Sequence, residues 1–336
     1  MVSSQSIQRR ALLQSAVALP LAAFLPACSS AQSAASSISS TVKSAVTGGA
    51  TNMLSETFTM NDGHRIPKIG LGVWGIDNDK SAEAVRQAVA AGYRHIDTAQ
   101  AYQNEAGVGE GVRTCGVARE QIFVTTKVAA EAKSYEAAAS SIDESLKRAG
   151  LQYFDLMIIH SPQPWAEWRS EKKYYDENRA VWRALEDAQA AGKLRSIGVS
   201  NFLRPDLENI FKEAKVRPAV NQVLAHIGNT PFELAEFCSK ENILVQAYSP
   251  LAHGEVLKNP DIAAMAAKYK ATPAQLCIRY VLQLGMVALP KTTRPERMKE
   301  NAAVDFTISD ADMQTLRALR AADYGEFTHF PVFSGK

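Results

Sequence analysis

The sequence is poor in cysteine, with four in 336 residues. Beyond the first fifty residues there are three, Cys115, Cys238 and Cys277, and they have neither C-x-x-C nor Cys/His spacing. An odd number of scattered thiols indicates neither a disulfide framework nor a zinc site, so we predict no metal. We expect these thiols to serve as small buried apolar side chains.

An excess of either charge is also missing. Lys and Arg number 37 against 35 Asp and Glu, which leaves no basic field to hold a nucleic acid. The only charged side chains before Glu56 are Arg9, Arg10 and Lys43, so the rest of the chain is close to neutral. With 46% hydrophobic and 21% charged residues, the composition excludes disorder as the main state.

The first apolar run, residues 11–25, is too short to cross a hydrocarbon layer of ~30 Å comfortably. It follows Arg9-Arg10 and precedes small residues, an arrangement typical of an export signal of the twin-arginine type over residues 1–30. We therefore expect an exported protein, periplasmic or anchored at the membrane. The alternative is an amphipathic or frayed N-terminal helix, and a protein whose signal is not used would be cytoplasmic.

A second feature of this segment concerns Cys28. Residues 25–29, Leu-Pro-Ala-Cys-Ser, resemble a bacterial lipobox, although Pro26 is an unusual occupant of its position. Cys28 would then carry a lipid anchor, which is the only membrane contact we expect; in the alternative it is removed with the signal. Residues 31–55 are predicted to be a Ser/Ala-rich linker, because they hold too little apolar surface to offset chain entropy.

Residues 56–336 alternate between apolar runs and amphipathic stretches, after a short hairpin around Asp62-Gly63. One stretch begins at Ser134, a good N-cap, and ends at Gly150; another ends at Gly192. Strands that are apolar on both faces and separated by helices imply a parallel sheet, and eight units favour a single (β/α)8 TIM barrel of the α/β class. The eight runs are 69–72, 94–96, 122–126, 154–159, 195–199, 219–221, 243–247 and 286–289.

A polar residue follows nearly every run. In a barrel these positions open onto one mouth, at the carboxyl ends of the strands, where catalytic groups gather. Taken singly, each has a duller explanation, such as a structural ion pair, a core phenol or a satisfied structural histidine. The residues are Asp97, Lys127, His160, Ser200, Asn201, Gln222, Tyr248 and Lys291.

Several motifs together resemble the aldo-keto reductase family, in its order, over about residues 56–322. They are GYRHIDTA at 92–99 followed by Tyr102 and Asn104-Glu105, TK at 126–127, DLMIIH at 155–160, GVSNF at 198–202, Gln222, YSPL at 248–251, LPKT at 289–292, RPER at 294–297 and EN at 300–301. The resemblance implies an NADPH-dependent oxidoreductase that reduces aldehydes or ketones to alcohols without a Rossmann domain. Gly107, Gly109 and Gly111 do not fit a dinucleotide fingerprint, and we interpret them as packing positions.

The resemblance also implies a catalytic group of four. Tyr102 matches the proton donor, and Lys127 matches a cation that stabilises its phenolate and so lowers its pKa. Asp97 matches the carboxylate that keeps Lys127 charged and oriented. His160 matches the imidazole that orients the substrate oxygen.

The implied cofactor is NADPH, with NADH less favoured. Ser200, Asn201 and Gln222 resemble the residues that hydrogen-bond the nicotinamide carboxamide, and Tyr248 resembles the aromatic side chain that stacks on the ring. Lys291, Thr292 and Arg297 lie where the family holds the adenosine 2′-phosphate, which two cations and a hydroxyl suit; a solvated basic patch is the alternative. The resemblance extends the cofactor contacts to Ser249, Leu251, Glu300 and Asn301.

The implied substrate is a small carbonyl compound bound between Trp74, His160 and Trp165. Ser161 follows His160, where many members of the family have a bulky aromatic residue, so the pocket departs from that pattern. Two other functions stay open: a Schiff-base aldolase using Lys127, and a non-catalytic NADPH-binding sensor module. We expect a monomer with no nucleic-acid partner.

Overall fold

The structure is a computed structural model that describes residues 52–168 and 170–320. The predicted export signal, Cys28 and most of the predicted linker lie outside the described residues. Within the described ranges, no helix has the length and apolar character needed to span a bilayer.

The described chain starts with a 3₁₀ turn, Met53–Ser55, which is capped by the Asn52 side chain. Met53 is buried, and its N–H donates to Asp305 Oδ1 at 3.0 Å. The prediction that the linker extends to residue 55 is therefore wrong at its C-terminal end. The reason is a partner 252 residues away, which local composition does not reveal.

The predicted hairpin follows. Thr57–Thr59 (β1) pairs antiparallel with Arg65–Pro67 (β2), and Gly63 in the turn has φ +85°, the conformation for which glycine is favoured. Met60 and Ile66 pack against the barrel interior with Leu156, Ile158 and Val287. The hairpin thus closes one end of the barrel and leaves the other end for the polar residues.

Eight parallel strands form the barrel and are hydrogen-bonded in chain order, which confirms the predicted fold. Ile69 bridges to Ala288 in parallel, and Gly70 N donates to Ala288 O at 2.9 Å, so the first and last strands meet. The strands are Leu71–Gly72 (β3), His95–Asp97 (β4), Phe123–Val128 (β5), Phe154–Ile159 (β6), Leu194–Ser200 (β7), Val220–Leu224 (β8), Leu244–Tyr248 (β9) and Val287–Leu289 (β10).

Helices connect the strands, and their ends follow the sequence signals. Ser134 accepts a hydrogen bond from Ala137 N, and Gly150 ends that helix with φ +62°. In the helix that precedes Gly192, Val181 and Leu185 are fully buried, as the sequence predicts. The helices are Asn78–Ala90 (α1), Glu105–Thr114 (α2), Tyr135–Ala149 (α3), Tyr175–Ala190 (α4), Arg204–Phe211 (α5), Phe232–Lys240 (α6), Pro260–Lys268 (α7), Pro273–Gln283 (α8), Pro295–Ala302 (α9) and Asp310–Ala318 (α10).

The three closely spaced glycines lie in α2, where they allow close helix packing. A Cβ on Gly107 would lie 2.1 Å from Asn78 O, and one on Gly109 would lie 1.9 Å from Ala149 O. Any larger residue would therefore push α2 away from α1 and α3. Their interpretation as packing positions is confirmed.

Candidate active site

The polar residues predicted from the strand ends come together at the end of the barrel opposite the hairpin. Asp97 and Ser200 are the last residues of β4 and β7, and Tyr248 is the last residue of β9. Lys127 is the last residue but one of β5, and Gln222 is the central residue of β8. Because all these strands are parallel, their carboxyl ends meet at one mouth.

At the base of this mouth lies a buried ion pair. Lys127 Nζ is 2.5 Å from Asp97 Oδ1 and donates a second hydrogen bond to Thr98 O at 2.8 Å. Both side chains are almost completely buried. Burial lowers the pKa of Lys127, and the adjacent carboxylate of Asp97 opposes that shift.

Tyr102 faces this pair. It ends the 3₁₀ turn Gln100–Tyr102 that follows β4, and Lys127 Nζ lies 4.9 Å from the centroid of its ring. The ring of His160 meets the Tyr102 ring edge-on, with 5.6 Å between the centroids. Within residues 52–168 and 170–320, the Tyr102 hydroxyl forms no hydrogen bond, so it is available to an incoming oxygen.

The acidity of Tyr102 differs from the expectation. Burial, and then the negative charge of Asp97, raise the pKa of Tyr102 well above its usual value. Lys127 is paired with the same carboxylate, so its positive charge acts on the phenol together with the opposing charge of Asp97. The pKa of Tyr102 is therefore raised where we expected it to be lowered, and stabilisation of its phenolate by Lys127 stays a prediction.

His160 follows β6 directly and is buried. Burial, with a smaller contribution from the Lys127 ammonium, lowers the pKa of His160 well below its usual value, so the imidazole is neutral near pH 7. Its Nδ1 is buried and has no hydrogen-bond partner among the described residues. A neutral ring with an unsatisfied nitrogen is suited to bind a polar group of a ligand.

The side chains expected around a nicotinamide carboxamide form one connected network. Ser200 Oγ donates to Gln222 O at 2.8 Å, and Asn201 Nδ2 donates to His160 O at 3.0 Å. Tyr248 OH donates to Asn201 Oδ1 at 2.8 Å. The predicted hydrogen bonds of Ser200 and Asn201 to the carboxamide, and the predicted stacking of Tyr248 on the ring, stay predictions.

Gln222 has a role that the sequence did not reveal. Its Nε2 donates to Asp97 Oδ2 at 2.7 Å and to Gln246 Oε1 at 2.8 Å. Gln246, which we did not predict as a site residue, is fully buried in the middle of β9. The signal in the sequence is an amide side chain inside an otherwise apolar strand, where polar residues are rare unless they are paired.

Residues expected at the adenosine phosphate lie beyond β10. Lys291 and Arg297 are exposed and form no ion pair with any described residue, while Thr292 is buried and its Oγ1 accepts from Arg294 N at 3.1 Å. Glu300 and the buried Asn301 lie near the end of α9. No described side-chain contact joins these five residues to the catalytic group, so their roles remain predictions.

One further loop contributes to the mouth. Ser249 and Leu251 follow β9, and Ser249 Oγ lies 3.4 Å from His253 Nε2. The His253 ring meets Trp74 edge-on, with 5.3 Å between centroids. Ser249, Ala252 and His253 all have positive φ, an uncommon backbone for residues other than glycine, and sequence patterns do not predict it.

The predicted substrate wall is aromatic. Trp74 is 38% exposed, which leaves its face open to a ligand. Trp165 meets His160 edge-on at 5.2 Å between centroids, and Trp168 lies 5.9 Å from Trp165. Trp168, whose Nε1 is buried without a partner among the described residues, is an additional wall residue that we did not predict.

Comparison with known proteins decides the family. Residues 68–321 match the model of the aldo/keto reductase family. This chain belongs to the aldo/keto reductase family. It is an oxidoreductase of the kind that uses a reduced nicotinamide cofactor, and the sequence-based assignment to the family is confirmed.

Curated relatives of this aldo-keto reductase are named as reductases. A 9,11-endoperoxide prostaglandin H2 reductase from Trypanosoma cruzi is 42% identical over 266 residues, which are 78% of this chain and 90% of the relative. A glyoxal reductase from Bacillus subtilis is 41% identical over 268 residues, 79% of this chain and 93% of the relative.

Solved structures agree with the fold. An aldo/keto reductase from Brucella melitensis superposes with a TM-score of 0.73 at 40% identity, over 78% of this chain and 98% of that chain. An aldo-keto reductase crystallised in complex with NADPH superposes with a TM-score of 0.72 at 31% identity, over 79% of this chain and 88% of that chain.

The side chains present are compatible with a nicotinamide dinucleotide. Lys291 and Arg297 offer charges that no described carboxylate neutralises, and the buried His160 Nδ1 has no hydrogen-bond partner among the described residues. Within the described residues, Gln222 Oε1 accepts no hydrogen bond, so it can accept one from an amide N–H. The two cations are compatible with a phosphate of such a cofactor, and the Gln222 oxygen is compatible with its carboxamide.

Proposed function

We propose that this aldo-keto reductase reduces a small aldehyde or ketone to an alcohol, with NADPH as reductant and Tyr102 as general acid. The observation that carries the proposal is the arrangement of Tyr102. Its hydroxyl, which forms no hydrogen bond with a described residue, belongs to a ring whose centroid lies 4.9 Å from the ammonium of Lys127 and which meets a neutral His160 edge-on. This arrangement provides a proton donor, a cation and a neutral polar group at one point of the mouth.

When bound, reduced nicotinamide supplies the hydride. As negative charge builds on the carbonyl oxygen, Tyr102 donates its proton to that oxygen. The raised pKa of Tyr102 keeps the phenol protonated until this moment, and the forming alkoxide is basic enough to take the proton. Lys127 then stabilises the phenolate, while Asp97 holds the ammonium in place.

His160 would orient the substrate oxygen without competing as an acid. Because the pKa of His160 lies well below 6.5, its imidazole is neutral near pH 7 and does not act as the acid. The single N–H of the neutral ring can still donate one hydrogen bond to the carbonyl oxygen. The division of labour between a phenol that donates and an imidazole that orients follows from these opposite effects of burial.

For the cofactor, we propose NADPH over NADH because Lys291 and Arg297 are exposed cations that no described carboxylate pairs with, in the same segment as the Thr292 hydroxyl. Such a set suits a dianionic phosphate. Substituting Lys291→Ala is expected to weaken NADPH binding by roughly tenfold and to leave NADH binding unchanged, as measured by fluorescence titration. Equal losses for both cofactors would contradict a role at the 2′-phosphate.

The substrate we propose is a small carbonyl compound with an apolar or compact body, because Trp165 and Trp168 form an aromatic cluster beside His160 and the sequence predicts Trp74 as a further pocket residue. The similarity to a reductase named for glyoxal supports small aldehydes as the first panel to test. The panel is run with NADPH oxidation as the readout, on the wild type and on Tyr102→Phe. Loss of turnover with retained NADPH binding in Tyr102→Phe supports the assignment.

Two alternatives are separated by direct tests. A Schiff-base aldolase would leave a substrate attached to Lys127 after borohydride treatment; its ammonium is instead engaged by Asp97 and Thr98, which disfavours attack on a carbonyl. A sensor module would bind NADPH tightly and show no turnover across the carbonyl panel.

We also propose that the protein is exported as a monomer, by the signal at residues 1–30 and with lipid attached at Cys28 if the lipobox is used. A twin-arginine route would carry a folded protein with its cofactor bound. Replacing Arg9 and Arg10 by Lys is expected to retain the protein in the cytoplasm. Unchanged cell fractionation of that variant would contradict the proposal.

A further inference from the structure

We infer that Gln246 is a positioning residue that, together with Asp97, fixes the direction in which the Gln222 amide oxygen points, and thereby lets the site select a carboxamide on the cofactor ring. The inference rests on the proposed function, because it concerns the same nicotinamide site. Gln246 and Gln222 are register partners on the neighbouring strands β9 and β8. Both are buried, at 0% and 2% exposure.

The orientations of the two amides follow from the ion pair. Asp97 is an anion beside the Lys127 ammonium, so its Oδ2 must face a donor, and this donor is Gln222 Nε2 at 2.7 Å. The second hydrogen of that nitrogen needs an acceptor, which is Gln246 Oε1 at 2.8 Å. A flip of the Gln222 amide would bring its oxygen against Asp97 Oδ2, and a flip of the Gln246 amide would bring its nitrogen against Gln222 Nε2. Either flip would break these hydrogen bonds.

The oxygen of the Gln222 amide is left without a donor among the described residues. Since both N–H bonds of its amide are used, Gln222 can only accept through Oε1, and no described residue occupies that oxygen. A cofactor ring with a carboxamide N–H can satisfy it, whereas a ring with a plain ketone cannot. An acceptor left unpaired in a closed site costs affinity.

An unsatisfied atom of Gln246 supports a role beyond packing. Its own Nε2 is buried and has no hydrogen-bond partner among the described residues. An orphaned donor in the centre of a barrel is unfavourable, and such atoms call for an explanation other than packing. Tyr248, two residues further along β9, shares the strand face of Gln246, so this face continues upward to the predicted ring position.

The test compares dissociation constants for NADPH and for its analogue in which a methyl ketone replaces the carboxamide, by fluorescence titration. The wild type is expected to prefer NADPH by about tenfold or more. In Gln246→Met, which has similar length and no acceptor, the preference is expected to fall to about threefold or less. In Gln246→Glu, which keeps an acceptor oxygen, it is expected to remain as in the wild type.

We expect Gln246→Met to fold, since it removes an orphaned donor as well as an acceptor. Gln246→Leu is the second variant. Thr125→Val is the matched control, because it removes a buried contact, at 3.0 Å to His95, away from Gln222. A preference retained in both Gln246→Met and Gln246→Leu, or equally reduced in Thr125→Val, overturns the inference. A wild type that binds both cofactors equally also overturns it, whereas one that binds neither overturns the proposed function itself.

Discussion

Neutralising Asp97 tests how much its buried ion pair with Lys127 contributes to the stability of the fold. Asp97→Asn keeps the shape of the side chain but gives Lys127 and Gln222, both donors, an amide that can accept from only one of them. Lys127 would remain buried with Thr98 O as its other partner. Removing one member of a buried pair costs about 3–5 kcal/mol. We expect urea denaturation at pH 7 to show a loss of this size.

The stability of Asp97→Asn is expected to depend on pH. In Asp97→Asn, the pKa of Lys127 is lowered by burial without an opposing carboxylate, so the unfolded state holds a proton that the folded state releases. Stability of the variant should therefore rise with pH from that lowered pKa up to the unfolded value near ~10.4. The double variant Asp97→Asn/Lys127→Met has no orphaned charge and should be more stable than the single variant at pH 7.

An exposed ion pair serves as the control. Lys240 and Glu236 lie 2.7 Å apart on the surface of α6, and Glu236→Gln is expected to change the urea midpoint little. The reasoning is refuted if Asp97→Asn loses less than about 1 kcal/mol, or if the double variant is no more stable than the single one. Either result would mean that the Asp97–Lys127 pair is solvated and contributes little to stability.

Three further predictions follow from the same structure. Because the pKa of His160 lies well below 6.5, the kcat/KM for carbonyl reduction should show no break between about pH 7 and about pH 5.5; a break that disappears in His160→Gln would contradict this. Burial lowers the pKa of Lys133 to about 7, so stability should rise between that pH and ~10.4, and Lys133→Met should abolish the rise in urea midpoints. Gly109→Ala would place a Cβ 1.9 Å from Ala149 O and should cost about 1–3 kcal/mol in the same assay; an unchanged midpoint would show that α2 can move freely.

Much of the fold could be predicted because it depends on local patterns. Each strand is an apolar run, and Ser134 and Gly150 mark the ends of α3 by their own conformational preferences. The position of the catalytic group was also predictable, since a polar residue at the end of a parallel strand must lie at the barrel mouth. Asp97, Lys127 and His160 follow this rule.

What could not be predicted depends on distant partners. The turn at Met53 needs Asp305, and the role of Gln246 appears only once β8 and β9 are in register. The raised pKa of Tyr102 is caused by its burial and then by the negative charge of Asp97, which no spacing in the sequence encodes. Chemistry that depends on three-dimensional charge balance therefore needs the structure.

The central claim is that the Tyr102 phenol delivers the proton during NADPH-dependent carbonyl reduction. Its most direct test is NADPH oxidation by the wild type and by Tyr102→Phe with one small aldehyde, together with NADPH affinity for both. We predict that Tyr102→Phe loses about 10²-fold or more in kcat while its affinity for NADPH stays within about threefold, because the ring is kept and only the donor is removed. A Tyr102→Phe variant that reduces the aldehyde at the wild-type rate would contradict the claim.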